Sequence, residues 1–247
     1  MLKQTIADGI YLYQFAPNPG GHFGFNILAL THEDKALLID TAFEDHAHQV
    51  FTDLIKNDLK LDSVVISHFH PDHISGLKSL PPVPRYGHAN AQITLDKWTA
   101  KEEHPHIVPT FEIGEKTKIQ FGNFELVMIP LPGHSICTMI IDINGQFVHV
   151  ADEIMTSNDG SPILPFITNT VQSHVKSLEA LKHYCDYTMI LGHGILLKGR
   201  EKILTEINDR LSYLNELLAH DSKISVEVAT AKCSCTFLHL ELHEKNA

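Results

Sequence analysis

Six consecutive residues, His68-Phe69-His70-Pro71-Asp72-His73, constrain this chain more than any other feature. They follow Ser63-Val64-Val65-Ile66-Ser67, an apolar run that reads as a buried strand. His68 and His70 lie two apart, so an extended backbone directs both imidazoles to one side. Pro71 disfavours the α region for His70 and keeps that stretch extended. Asp72 and His73 then fall where a helix begins, and their side chains leave the backbone in another direction, where they can serve a second ion beside the first. A strand end feeding a loop is where functional side chains are commonly presented. The fold must therefore display four ligand-type side chains at the end of a buried strand.

The rest of the chain supplies the layers. Strand patterns cover 9–15, 25–30 and 36–40, with a turn-rich loop at 17–24 between the first two. A helix is expected over 46–57, with Val50, Leu54 and Ile55 on one face. After the strand at 63–67 come a short helix at 75–80, ended by Pro81-Pro82, and a helix at 89–100. Strands follow at 117–121, 124–130, 136–143 and 146–151, then an irregular segment at 155–168. A helix at 170–184, a strand at 188–191 and a strongly patterned helix at 200–218 come next, and the tail at 224–242 alternates like an edge hairpin. Strands, helix, strand and loop thus occur twice with no linker between, which predicts one domain over 1–247 built from two similar halves. Sheets covered by helices make an α/β layered architecture.

Three further ligand-type residues sit at comparable junctions. His134 follows the strand at 124–130, Asp152 ends the strand around Val148-His149-Val150, and His193 follows the strand at 188–191. Glycines beside His134 and His193 allow close backbone approach. One histidine after a strand is ordinarily structural, and H-x-H arises by chance in a chain with 18 histidines among 247 residues. Seven such residues at strand ends, four of them in one hexapeptide, are not an ordinary surface pattern. They predict a metal site, histidine being the commonest metal ligand.

Composition excludes some functions. The chain has 19 Lys+Arg against 30 Asp+Glu, a formal charge of −11. That balance disfavours nucleic acid and docking on an anionic membrane. No apolar run is long enough to span a bilayer. Met1 to Gly9 carries no secretory pattern, so a cytoplasmic location is expected. Cys137, Cys185, Cys233 and Cys235 do not make a disulfide framework in a chain this long, and structural roles are expected for them.

The motifs, in order, are Asp40 after an early strand, H-x-H-x-D-H at 68–73, Gly-His-Ser at 133–135, Asp152, and Gly-His-Gly at 192–194. This series resembles the metallo-β-lactamase-fold hydrolase superfamily over about residues 5 to 195. The resemblance implies a four-layer αβ/βα sandwich of two mixed β-sheets flanked by helices, with two metal ions along one edge. It implies that His68, His70 and His134 hold one ion and that Asp72, His73 and His193 hold the other. Asp152 would bridge them, and Asp40 would orient ligands from behind. Two local departures stand out: Asp40-Thr41-Ala42 where the family commonly has Asp-Thr-Gly, and Ile136-Cys137 where Pro-Gly is common. Neither removes a ligand.

Imidazole and carboxylate donors suit zinc, with iron or manganese as alternatives. Two ions about 3.5–4 Å apart can share a hydroxide, metal lowering the pKa of bound water to about 7. The expected chemistry is attack of that hydroxide on an ester, thioester, lactone or amide carbonyl of a small molecule, with Asp72 handling the proton. His22, Phe23 and Phe166 are expected to wall the substrate, and a homodimer is compatible with the sequence. The resemblance also narrows the branch. Met155 stands where the lactonase-like branch has tyrosine, Asp152 is a residue the similar true β-lactamases usually lack, and His70 stands where the diiron electron-transfer branch has glutamate. Phosphodiester cleavage, mononuclear-iron oxidation and a non-catalytic metal-binding scaffold are the alternatives. The acidic balance weighs against the first and the complete ligand set against the others.

Overall fold

Strands that are apolar on both faces need cover on both faces, and that requirement sets the architecture. The structure is a computed structural model and describes residues 1–18 and 23–246. The first sheet runs in chain order: β1 (Leu2–Ala7), β2 (Ile10–Phe15), β3 (Phe25–His32), β4 (Lys35–Ile39), β5 (Lys60–Val65), β6 (Arg85–His88) and β7 (Phe111–Ile113). Pairing is antiparallel from β1 to β4 and parallel from β4 to β7. The second sheet comprises β8 (Thr117–Phe121), β9 (Phe124–Pro130), β10 (Met139–Ile143), β11 (Phe147–His149) and β12 (Thr188–Ile190), in spatial order β12-β11-β10-β9-β8. Only its β11–β12 pair is parallel, so both sheets are mixed.

Alternation along the strands sorts the core into three zones. Leu28, Leu30, Leu37 and Ile39 meet Leu126, Met128, Met139 and Ile141 between the sheets. Their neighbours Ile27, Ala29, Ala36 and Leu38 face the other way and pack with Val50 and Leu54 of α1 (Glu44–Lys56). On the far side, Ile140, Val148 and Met189 of the second sheet pack with Leu178 and Leu181 of α5 (Val171–Leu181) and with Ile203, Ile207 and Leu214 of α6 (Arg200–Ala219). The order helix, sheet, sheet, helix is the expected αβ/βα sandwich. Thr170 caps α5, accepting a hydrogen bond from the Ser173 N–H at 3.1 Å. Arg210 of α6 is 1% exposed; it pairs with Glu206 at 2.6 Å and donates to the Met155 carbonyl at 2.6 Å. It thereby fixes the start of the irregular segment at 155–168.

Several elements differ from expectation. The hexapeptide opens a short helix, α2 (Pro71–Ile74), which passes into a 3₁₀ turn, Ser75–Ser79, rather than a helix over 75–80. Helices α3 (Ala91–Trp98) and α4 (His104–Ile107) cover the next connection. β10 starts at Met139, because Ser135 to Thr138 closes a turn through the Thr138 N–H to Ser135 carbonyl bond. β11 stops at His149, two residues before Ala151, whose φ is 51°. β1 escaped the alternation argument because it is a largely exposed edge strand. The tail is not a hairpin: it forms α7 (Val226–Thr230), turns, and α8 (His243–Asn246). Its alternating residues Cys233, Cys235 and Phe237 pack into the α5–α6 core, and among the described tail residues only Leu238 makes an isolated bridge, to Ile163. Burial against a helix layer can mimic strand periodicity over so few residues. No helix among the described residues is long and apolar enough to cross a membrane.

Candidate metal centre

The parallel and antiparallel ladders bring the ends of β4, β5, β9, β11 and β12 to one edge. Asp40 follows β4, His68 and His70 follow β5, His134 follows β9, Asp152 follows β11, and His193 follows β12. All seven expected ligands converge there. Donor atoms of His68, His70 and His134 lie within 4.8 Å of one another, as do those of His68, His73 and Asp152, and those of Asp72, His73 and His193. Asp152 Oδ2 is the hub. It lies 3.1 Å from His193 Nε2, 3.3 Å from His73 Nε2, 3.7 Å from His68 Nε2 and 3.8 Å from His134 Nε2. Asp72 Oδ2 is 3.4 Å from His193 Nε2.

Partners behind the rings set their tautomers. His134 Nδ1 donates to the Phe166 carbonyl at 2.6 Å, which leaves a lone pair on Nε2. Ser67 Oγ donates to Asp40 Oδ2 at 2.6 Å, so it accepts from His68 Nδ1 at 3.3 Å and His68 Nε2 is also bare. Thr168 Oγ1 donates to the His134 carbonyl at 2.8 Å and accepts from His70 Nε2 at 3.2 Å, baring His70 Nδ1. His70 Nδ1 then faces His68 Nε2 and His134 Nε2, each at 3.0 Å, with no proton for any of the three to share. Burial keeps these rings neutral. It pushes His68 well below the ordinary imidazole value, His70 to about 3, and His134 down as well. Three buried lone pairs aimed at one point repel one another unless a cation sits between them, so this donor set fits a metal ion.

The other side of the cluster is negative. His73 Nδ1 donates to Asp40 Oδ2 at 2.8 Å and His193 Nδ1 to the Gly24 carbonyl at 2.6 Å. Burial opposes charge on both rings, but the carboxylates win: Asp152, Asp40 and Asp72 hold His73 well above its ordinary value, and Asp152 and Asp72 raise His193 to about 10. Burial likewise opposes charge on Asp152 and Asp72. The facing imidazoles outweigh it and hold both carboxyls below the usual range. A divalent cation in this set would compete with protons for the lone pairs of His73 and His193, so metal uptake would release protons.

Sequence reasoning missed some of the supporting residues. Glu153 is buried, and its Oε1 accepts the N–H groups of Gly133 at 3.1 Å and His134 at 2.9 Å, fixing the turn that carries His134. The signal was a second carboxylate beside Asp152 in an apolar stretch. Ser67 and Thr168, polar residues flanking ligand-bearing turns, give no signal apart from position. Asn26 on β3 donates to the Leu191 carbonyl at 2.9 Å and the Gly194 carbonyl at 3.0 Å, holding the His193 turn. Both departures from the common motifs are accommodated. Ala42 takes φ 49°, the left-handed conformation that glycine adopts freely. Cys137 is buried, and its sulfur accepts the Phe69 N–H at 3.3 Å, so it braces the hexapeptide and is not a ligand. Among the described residues all four cysteines are free; Cys233 and Cys235 are half-buried.

Of the expected substrate walls, Phe23 stands with its ring 4.6 Å from that of His193, and Phe166 lies 5.8 Å from the His134 ring. His22 lies outside the described residues. Trp98, at the end of α3, stands edge-on to His70 at 5.3 Å, a wall that the helical reading of 89–100 did not suggest.

Comparison with known proteins agrees with this geometry. Residues 21–193 match the Metallo-beta-lactamase superfamily. A hydroxyacylglutathione hydrolase of Haemophilus ducreyi is 22% identical over 168 residues, covering 66% of this chain and 63% of that protein. The chain thus spans less than two thirds of that relative's length. A metallo-beta-lactamase type 2 of Bacillus cereus is 24% identical over 176 residues, covering 68% of this chain and 66% of that protein. Among solved structures, a metallo-beta-lactamase from Pontibacter korlensis superposes with a TM-score of 0.70 at 15% identity, covering 87% of this chain and 98% of that one. The DIM-1 metallo-beta-lactamase does so with a TM-score of 0.67 at 17% identity, covering 87% and 97%. At such identities the structural likeness speaks for the fold alone, whereas the match across 21–193 contains every one of the converging side chains. With its αβ/βα layers and its edge cluster of histidines and aspartates, this chain belongs to the metallo-beta-lactamase superfamily.

Proposed function

We propose that the protein is a dinuclear metal-dependent hydrolase acting on a small-molecule ester, thioester, lactone or amide. The observation that carries this reading is the pairing of a neutral three-imidazole set with an anionic set around one shared carboxylate, Asp152. In it His68, His70 and His134 would hold one divalent ion and Asp72, His73 and His193 the other, with Asp152 available to both. Zinc suits the donors. When bound, the ions supply Lewis acidity and a source of hydroxide near neutral pH.

The chain's own residues do the rest. Asp40 holds His73 in the tautomer that presents Nε2, and Glu153, Asn26 and Thr168 fix the turns from which His134 and His193 project. Among the seven converging residues Asp72 is the least enclosed, its side chain 22% accessible. Its Oδ1 lies 4.0 Å from His73 Nε2, and in this reading the Asp72 carboxylate would accept a proton from the attacking water and return it to the leaving group. Phe23, Trp98 and Phe166 restrict water around the reacting carbonyl.

The relatives named hydroxyacylglutathione hydrolase and metallo-beta-lactamase support a carbonyl substrate, as thioester and as amide respectively. The test pairs metal analysis with lactone, thioester, β-lactam and phosphodiester substrates. The reading expects about two metal ions per chain and hydrolysis of one carbonyl class, lost on chelation and restored by metal. Protein that takes up no metal, or metal-loaded protein that cleaves only phosphodiesters, would refute it.

A further inference from the structure

The segment that lends the Phe166 carbonyl and Thr168 to the three-histidine set has no ladder of its own: 164–168 lies in no helix or strand. Pro165 also removes one backbone donor. A carbonyl that meets His134 Nδ1 at 2.6 Å must therefore be held in place from outside the segment. The tail does this. At the near end, the Leu238 N–H donates to the Pro162 carbonyl at 2.8 Å, and the Leu238 carbonyl accepts the Leu164 N–H at 3.0 Å. At the far end, Asn246 of α8 donates from Nδ2 to the Pro165 carbonyl at 2.6 Å and accepts the Ile167 N–H on Oδ1 at 3.1 Å. One side-chain amide thus grips the backbone on both sides of Phe166, as a neighbouring strand would. Its remaining hydrogen goes to the Tyr213 hydroxyl at 3.1 Å. That hydroxyl donates to His243 Nδ1 at 3.1 Å, and His243 Nε2 donates to the Ile224 carbonyl at 2.8 Å. Asn246 and Tyr213 are both buried, so these bonds have no water to replace them. Helix α6 anchors the tail a second time, through Asp209, which accepts from the Ser234 N–H at 2.6 Å and the Ser234 hydroxyl at 2.8 Å. The superfamily match ends at residue 193, so Tyr213, Ser234, Leu238 and Asn246 all lie outside it.

We propose that Asn246 is a positioning residue for His134. By gripping the backbone at 165 and 167 it aims the Phe166 carbonyl at His134 Nδ1 and keeps His134 in the tautomer that presents Nε2 to the other imidazoles. Its effect on metal rests on the metal reading of His68, His70 and His134, and on nothing about the bond that is cleaved. Asp at 246 is nearly isosteric and still accepts the Ile167 N–H, but it has no hydrogen for the Pro165 carbonyl or the Tyr213 hydroxyl. Its charged oxygen would face the Pro165 carbonyl and push that backbone away. The Phe166 carbonyl then loses its fixed direction.

The test compares full-length wild type with Asn246→Asp. In metal-free protein carrying isotope-labelled histidine, nuclear magnetic resonance reads the tautomer of His134, assigned against His134→Gln. Wild type should hold the single Nδ1–H form, and Asn246→Asp should show a mixture. In competition with a chromophoric chelator, Asn246→Asp should weaken zinc binding about tenfold, the low end for loss of a supporting partner. An asparagine that merely pins the tail to α6 would lower the unfolding midpoint when replaced, yet leave both readouts unmoved, and that result would overturn the proposal. If the variant does not fold, the wild type still decides: an Ile167 amide that exchanges as fast as an unbonded one, or a His134 ring in mixed tautomers, would overturn it. A tautomer that loosens in Asn246→Asp, in a protein that takes up no zinc in either form, would refute the metal reading and leave the positioning role standing. Zinc bound equally well by both forms, with His134 unchanged, would do the reverse.

Discussion

Glu153→Ala removes the acceptor that holds the His134 turn. In the wild type one carboxyl oxygen receives two buried N–H groups, from Gly133 and His134. Burial pushes this carboxyl up to about 8, so at neutral pH it is largely protonated and serves as a neutral acceptor. Each orphaned buried donor costs about 1–3 kcal/mol, so alanine should destabilise the fold by about 2–6 kcal/mol, toward the low end where water enters the gap. Glu153→Gln keeps a carbonyl oxygen in place and should cost less than about 1.5 kcal/mol, the worth of an ordinary hydrogen bond. Because His134 rides on that turn, alanine should also weaken metal binding by roughly 10–100-fold, as loss of other supporting partners does. Glutamine should stay near wild type. The assays are urea unfolding of the metal-free protein at constant slope and competition for zinc against a chromophoric chelator. If alanine and glutamine behave alike in both assays, the two hydrogen bonds do not position the ligand. If alanine loses stability but binds metal normally, Glu153 supports the fold and not the site.

Three other outcomes follow from the same structure. Asp152→Ala should abolish turnover and lower metal content, measured by elemental analysis beside activity, and unchanged turnover would rule out a bridging role for its carboxylate. Arg210→Ala strands buried Glu206 and the Met155 carbonyl, so it should cost about 3–5 kcal/mol in denaturant unfolding, the penalty for breaking a buried pair; a loss under 1 kcal/mol would show the clamp to be idle. On α1, Asp53 accepts hydrogen bonds from Lys3 at 2.7 Å and Tyr13 at 2.6 Å. Burial opposes its charge, but these partners outweigh burial and lower its pKa from 3.8. A carboxyl depressed in the folded state stabilises above its unfolded pKa and loses that contribution as pH falls through the folded value. The stability gap between wild type and Asp53→Asn should therefore be full at neutral pH and shrink below about pH 4; a gap that is constant with pH would refute the assignment.

How much of this was legible in the chain depended on the range of the interactions involved. The hexapeptide could be read as a ligand cluster because its geometry is local: two histidines in an extended run, then a proline-started helix turn. Strands such as β4 and helices such as α6 were readable for the same reason, since side-chain period is a property of a few neighbouring residues. The tail misled because Cys233, Cys235 and Phe237 alternate like a strand while packing against a helix layer. The edge strand β1 gave no pattern because almost nothing buries it.

The amino-acid sequence alone determined which side chains carry ligand chemistry and at which strand ends they stand, because donor chemistry and backbone period are local quantities. It could not determine that His73 and His193, 120 positions apart, approach within 3.3 Å, or that one oxygen of Asp152 comes within 4 Å of four rings. Nor could it show that Ser67, Thr168 and the Phe166 carbonyl turn three lone pairs inward, or that Phe25, Phe43 and Trp98 share a wall. Those facts depend on sheet order and register, which are set by packing two sheets and their helices around a common core. No stretch of chain carries that information until the others are in place.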